Sequence, residues 1–268
     1  MNGDQMLTYF AETNIGNKRD NNEDYYLASP KINMWILADG VGGHDAGEVA
    51  SQLACNTIEE KVLAGDSIAD AIQLSHELIK RSPEEGVGRQ GMASTIVVLK
   101  VKNDKVDFFW VGDSRGYQWN KDTGLTARTC DQSLVQQLLD KGVITEEEAR
   151  VHPNRNVIIQ ALGQLDLEKL VVDTSSHDYV DGDLLLLCSD GLSDCVDDKK
   201  IDEIITTAEN PEQAASDLVD TALANGGKDN ITVIIVSLEK KKFQEVKAAK
   251  SFFQKLKSLI KKYSGTFS

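Results

Sequence analysis

Three apolar runs in this chain stop on a carboxylate. The run 35–38, Trp-Ile-Leu-Ala, leads straight into Asp39. The run 108–111, Phe-Phe-Trp-Val, leads through Gly112 into Asp113, and the run 184–188, Leu-Leu-Leu-Leu-Cys, leads through Ser189 into Asp190. Short apolar runs of this kind fill the middle of a sheet, so each aspartate is placed at a strand end. A fourth case is reversed, with Asp229 and Asn230 standing just before the apolar run 231–238. If these strands are antiparallel neighbours, the entrance of one lies beside the exits of the others, and four carboxylates converge at one edge of a sheet. Carboxylates gathered in this way repel one another and call for a compensating cation. All-oxygen ligands favour Mg²⁺ or Mn²⁺ over zinc. The four histidines, His44, His76, His152 and His177, have no zinc-motif spacing.

Charge is unevenly distributed. The net charge is −14, yet residues 240–268 hold nine lysines against one glutamate, leaving −22 on residues 1–239. An acidic body of this kind is a poor partner for nucleic acid and a good one for cations. The tail repeats Phe243, Val246, Phe253, Leu256, Ile260 and Tyr263 at helical spacing among its lysines. It is read as a basic amphipathic helix that docks on the acidic body, an anionic membrane or a partner protein. No apolar stretch approaches the roughly 20 residues needed to span a bilayer, and the N-terminus lacks a secretory signal, so a cytoplasmic monomer is expected. The four cysteines have no metal or redox spacing and are read as free thiols.

Helical periodicity marks 47–63 and 67–80 as one consecutive pair and 198–208 and 211–225 as a second. Asn210 and Pro211 open the last of these, and Gly226 and Gly227 close it. Strands are expected at 7–12, 33–38, 94–101, 106–111, 116–119, 184–188 and 231–238. Helices that come in pairs between runs of strands argue for an α+β domain of antiparallel sheets covered by helices. Residues 131–163 break the pattern with a short helix at 133–141 and a capping-box spacing at Thr145 and Glu148, and they read as an inserted flap within a domain spanning 1–239.

Six strings in order, GNKRDNNED (16–24), ADGVGGH (38–44), GMASTIVV (91–98), VGDSRGY (111–117), CSDGLSD (188–194) and GKDNITVI (227–234), resemble the PP2C family of metal-dependent protein Ser/Thr phosphatases. The short flap is similar to that of bacterial members. The resemblance implies a four-layered α/β/β/α sandwich of two antiparallel sheets with a helix pair on each outer face. It also implies two Mn²⁺ or Mg²⁺ ions at one end. Asp39 would bridge them, Asp190 and Asp229 would complete the first, and Glu23 with the Gly40 carbonyl would hold the second. Asp113 and Asp194, with Asp190, match a third, weaker metal site. Arg19 matches the family's phosphate-binding arginine, whose planar fork suits two phosphoryl oxygens. Asp24 is assigned to ordering metal-bound water or the local turn.

The implied activity is hydrolysis of phosphoserine and phosphothreonine in proteins, opposing a bacterial Ser/Thr kinase. The alternatives are a phosphoprotein-binding module without turnover and a small-molecule phosphoester hydrolase. Two departures stand out. Val41 occupies the place where some members carry a histidine that protonates the leaving group; His44 is the nearest replacement, and metal-bound water is the expected donor. Gln132 stands where bacterial relatives usually read histidine in an Asp-His-Ser string.

Overall fold

The apolar runs lack a polar alternation because each is buried on both faces. In the computed structural model, which describes residues 6–42, 46–103 and 105–239, strand β3 (Met34–Val41) turns Trp35 and Leu37 to one core and Met34, Ile36 and Ala38 to another. Strand β5 (Ile96–Lys102) divides Val97 and Leu99 from Ile96 and Val98 in the same way. On the other sheet, β10 (Asp183–Cys188) separates Leu185 and Leu187 from Leu186 and Cys188, and β11 (Ile231–Glu239) separates Ile234 and Val236 from Val233 and Ile235. Successive side chains point to opposite faces of a strand. The central core therefore lies between two sheets, and each sheet has a second core on its outer face.

The first sheet runs β2 (Asp24–Ser29), β3, β5, β6 (Lys105–Val111), β9 (Asp173–Asp178), with the two-residue β4 (Ala93–Ser94) paired to β3. The second runs β1 (Met6–Asn14), β11, β10, β7 (Arg115–Asn120), β8 (Gly124–Ala127). Every pairing is antiparallel. Helices α1 (Ala46–Ala64) and α2 (Ile68–Arg81) cover the first sheet. The residues expected as the flap carry α3 (Leu134–Asp140) and α4 (Glu146–Arg150), and α5 (Asp190–Ser193) directly follows β10. Helices α6 (Asp198–Thr207) and α7 (Pro211–Ala224) cover the second sheet. The four-layered α/β/β/α arrangement is the expected one.

Caps fix the helix starts. The side chains of Ser67, Asp197 and Asn210 accept from the backbone N–H three residues on, and Thr145 with Glu148 forms the expected capping box.

Four expectations need correction. Strand β3 does not stop at Asp39 but continues to Val41. The strand expected at 94–101 divides at Thr95, which leaves the ladder to bond Asp39. Strands β2, β8 and β9 were not expected; β9 is a polar edge strand, so it carries no apolar run to reveal it. The carboxylates gather not at one edge of a sheet but at a shared end of the two facing sheets. Helix 240–268 and His44 lie outside the described residues. Among the described residues no helix is long and apolar enough to cross a membrane.

At the end of the second sheet, α5 packs closely on the entrance of β11, the strand beside β10. A Cβ on Gly191 would stand 1.9 Å from the Asn230 carbonyl oxygen, a backbone atom with nowhere to go. Gly191→Ala should therefore cost about 3 kcal/mol of stability, read as a lowered urea midpoint. An unchanged midpoint would show that this junction is loose.

Candidate active site

The site residues are placed by hydrogen bonds within each sheet and across its end. Asp24 and Asp39 face each other in the β2–β3 register. Asp39 is tied on its other side to Thr95: its N–H donates to Thr95 Oγ1 at 3.2 Å, and its carbonyl accepts from the Thr95 N–H at 2.8 Å. Thr95 Oγ1 is in turn 2.8 Å from Ser114 Oγ, next to Asp113. A chain of hydroxyls thus connects the Asp39 backbone with the turn that carries Asp113.

Glu23 is held from three directions. Its N–H donates to Asn230 Oδ1 at 2.8 Å, and its carbonyl accepts from Gly40 N–H at 3.2 Å and from Ser51 Oγ at 2.7 Å. Its carboxylate Oε1 accepts from Gly47 N–H at 3.2 Å, in the first turn of α1, where a helix favours negative charge. Gly40 must be glycine for the chain to pass here: a Cβ would lie 2.0 Å from the Gly47 carbonyl oxygen.

Asn230 is buried, and its amide also donates to the Ile15 and Asn21 carbonyls at 2.9 Å each. It therefore joins the β11 entrance to the loop carrying Arg19 and Glu23. Ser189 Oγ donates to Asp24 Oδ2 at 2.7 Å and accepts from the Thr232 N–H at 3.0 Å, joining the two sheets behind the site. Asn230, Thr95, Ser114 and Ser189 all fall inside or beside the quoted motifs, but sequence reasoning gave them no role. Their only signal was a small polar residue at the end of an apolar run.

The electrostatics are those of crowded, partly desolvated carboxylates. Asp190 is pushed well above the usual range by burial first and then by Asp113, Asp229, Asp194 and Asp24. Asp39 is raised likewise by burial, then by Asp24, Asp190, Asp113 and Asp229. Burial, with Asp131 next, pushes Asp113 up to about 7. Burial also raises Asp24 to about 6, against the hydrogen bonds from Thr232 and Ser189 that favour its charged form. Among the described residues, Asp24 Oδ1 and Asp190 Oδ1 are buried without a hydrogen-bond partner.

Two of the expected site residues are engaged with protein cations or amides. Arg19 Nη2 donates to Asp229 Oδ2 at 2.6 Å. Asp194, exposed where Asp39, Asp113, Asp190 and Asp229 are half-buried, accepts from Asn156 Nδ2 at 3.0 Å and lies 3.8 Å from Arg155 Nη2, both on the flap. Val41 is 54% exposed at the end of β3 and brings no titratable group to the histidine position.

The donor set suits a hard cation. It is all oxygen, its charges repel, one carboxylate oxygen of Asp190 has no donor, and a guanidinium already serves Asp229. As they stand, no three or more His, Cys, Asp or Glu side chains among the described residues form a group able to hold a metal ion. The fit is one of chemistry and location.

The sequence matches the family model for protein phosphatase 2C over residues 16–225. It is 38% identical over 239 residues to the serine/threonine protein phosphatase PstP of Mycobacterium tuberculosis, covering 87% of this chain but 45% of that protein. It is 34% identical to the serine/threonine phosphatase stp of Listeria innocua, covering 84% of this chain and 93% of the other. The crystal structure of the PstP catalytic domain in complex with two manganese ions superposes with a TM-score of 0.76 at 33% identity, covering 88% of this chain and 99% of that one. The chain belongs to the protein phosphatase 2C family.

Proposed function

We propose that residues 1–239 form a metal-dependent phosphatase domain that hydrolyses phosphoserine and phosphothreonine in proteins. The observation that carries this reading is the gathering of Asp39, Asp113, Asp190 and Asp229 at one end of two facing sheets, with Arg19 beside them. The names of the relatives support the substrate class, and the PstP complex supports manganese. Asp39, Asp190 and Asp229 would hold one ion. Asp39, Glu23 and the Gly40 carbonyl would hold a second, and Asp113, Asp190 and Asp194 a weaker third. Bound Mn²⁺ or Mg²⁺ would supply charge neutralisation for the phosphoryl oxygens and an acidified water as nucleophile.

The protein's own groups do the positioning. Arg19 presents its guanidinium from an exposed loop at the rim of the site, where exchanging Asp229 for two phosphoryl oxygens keeps the arginine paired throughout. Asp24, behind Asp39 and bonded to Ser189, keeps the two sheets in register and one carboxylate oxygen free. Glu23 is fixed at the start of α1, so its position follows that of the helix. On this reading the substrate is a phosphorylated protein, the product of a kinase of opposing activity, as the names of the relatives support.

Hydrolysis of p-nitrophenyl phosphate should require added Mn²⁺ or Mg²⁺ and stop in EDTA. Asp39→Asn should lower turnover by about a hundredfold or more while circular dichroism stays that of the parent. Full activity in chelator, or near-normal turnover in the variant, would remove the metal reading. Arg19→Ala should raise KM for a phosphothreonine peptide by roughly tenfold and change kcat less, as expected for loss of ground-state binding. Unchanged constants would return Arg19 to a salt bridge with Asp229 and nothing more.

A further inference from the structure

Gln132 is buried at the entrance of the flap, and all of its amide's main bonding directions are used. Its Oε1 accepts from the Gly112 N–H at 2.8 Å and from Gln160 Nε2 at 2.8 Å. Its Nε2 donates to Asp173 Oδ2 at 2.8 Å and to the Val171 carbonyl at 3.2 Å. Its backbone closes the same circuit: the Gln132 N–H donates to the Gly112 carbonyl at 2.9 Å, and the Gln132 carbonyl accepts from the Ile159 N–H at 2.8 Å. One residue therefore grips both polar groups of Gly112, the returning end of the flap, and the segment that enters β9.

Gly112 immediately precedes Asp113. It has φ +103°, and a Cβ there would lie 2.7 Å from Thr95 Cγ2, so this turn tolerates little else. On the other side of Asp113, Ser114 bonds Thr95, and Arg115 makes a two-pronged pair with Asp131 at 2.8 and 2.7 Å. Asp131 is the neighbour of Gln132. Gln132 thus holds the backbone just before Asp113, and Asp131 holds the Arg115 side chain just after it; the Asp113 carboxylate itself has burial and Asp131 against its charge.

The chemistry demanded at position 132 is narrow. The group must accept from a backbone N–H and donate to a carboxylate at once, while buried. A carboxylate cannot donate and an ammonium cannot accept; an amide does both without charge.

We propose that Gln132 is a positioning residue for Asp113, which it fixes by pinning Gly112, so that the flap and the Asp113 carboxylate keep their places together. This rests on the reading of Asp113 as a ligand of the weakest cation site.

The test uses the full chain with Gln132→Met, which keeps length and removes both polar functions. Gln132→Asn, too short to reach Gly112 and Asp173 together, replaces it if the first variant does not fold. Hydrogen exchange by mass spectrometry should speed up in peptides covering 111–116 and 156–161 together. Calorimetric titration with Mn²⁺ should show the weakest site weakened by about tenfold, the effect of one or two lost hydrogen bonds, with tighter sites unchanged. Gln132→His, whose neutral imidazole accepts at one nitrogen and donates at the other, should restore most of the affinity. Added to Asp113→Asn, Gln132→Met should cause no further loss.

Faster exchange at 156–161 alone would overturn the proposal, making Gln132 a brace of the flap only. Unchanged weak-site affinity in Gln132→Met, where Asp113→Asn does weaken it, would overturn it as well. If Asp113→Asn itself leaves manganese binding unchanged, the ligand reading of Asp113 fails and the positioning role falls with it. Linked exchange of the two segments would then mark a structural brace.

Discussion

Mutual repulsion among half-buried carboxylates is the constraint on which the rest of this structure turns. Asp39, Asp113 and Asp190 sit at a shared end of two sheets, each raised above the usual carboxylate range by burial and by other aspartates. No core of this size would select such a cluster for stability, since a carboxylate buried without a partner costs several kcal/mol. The cluster is tolerable only where cations enter it, and Arg19 on Asp229 shows the same demand being met from within the chain.

The architecture supplies that cluster through strands that are apolar on both faces. Because β3, β5, β10 and β11 are each sandwiched between two cores, their ends are the first positions at which charge is tolerated. Neutral polar groups then do the aligning. Asn230 ties Glu23 to the β11 entrance, Thr95 ties Asp39 to the Ser114 turn, and Ser189 ties Asp24 to β11. Hydroxyls and amides suit this task because they add no charge to a region that already has too much.

Much of this was legible in the sequence, for a physical reason. Apolar runs leading to aspartate, helix pairs with recognisable caps, and six ordered motifs are all local patterns; they gave the layers and placed Asp190 and Asp229 just outside strands, and Asp39 two residues short of the end of β3. The motifs also pointed to Glu23, whose N–H bonds Asn230, and to Arg19, which pairs with Asp229. What was not legible depends on contacts between distant parts of the chain. Strand β9 is Asp-Thr-Ser-Ser-His-Asp, polar because it lies at a sheet edge, and only its pairing with β6 makes it a strand. The gathering of carboxylates from two sheets rather than one, the pairing of Arg19 with Asp229, and the hold of Asn156 on Asp194 follow from the sandwich and not from spacing. Gln132 read as a departure from pattern; its contacts make it a junction.

The central claim is that the cluster is a cation site held together against its own charge. The most direct test compares the melting temperatures of the parent and Asp190→Asn in EDTA and with saturating Mn²⁺. Removing one of the repelling charges should make Asp190→Asn more stable than the parent in EDTA, and the stabilisation that bound metal gives the parent should be largely lost in the variant. A variant less stable than the parent in EDTA, or one that gains as much from Mn²⁺, would contradict the account.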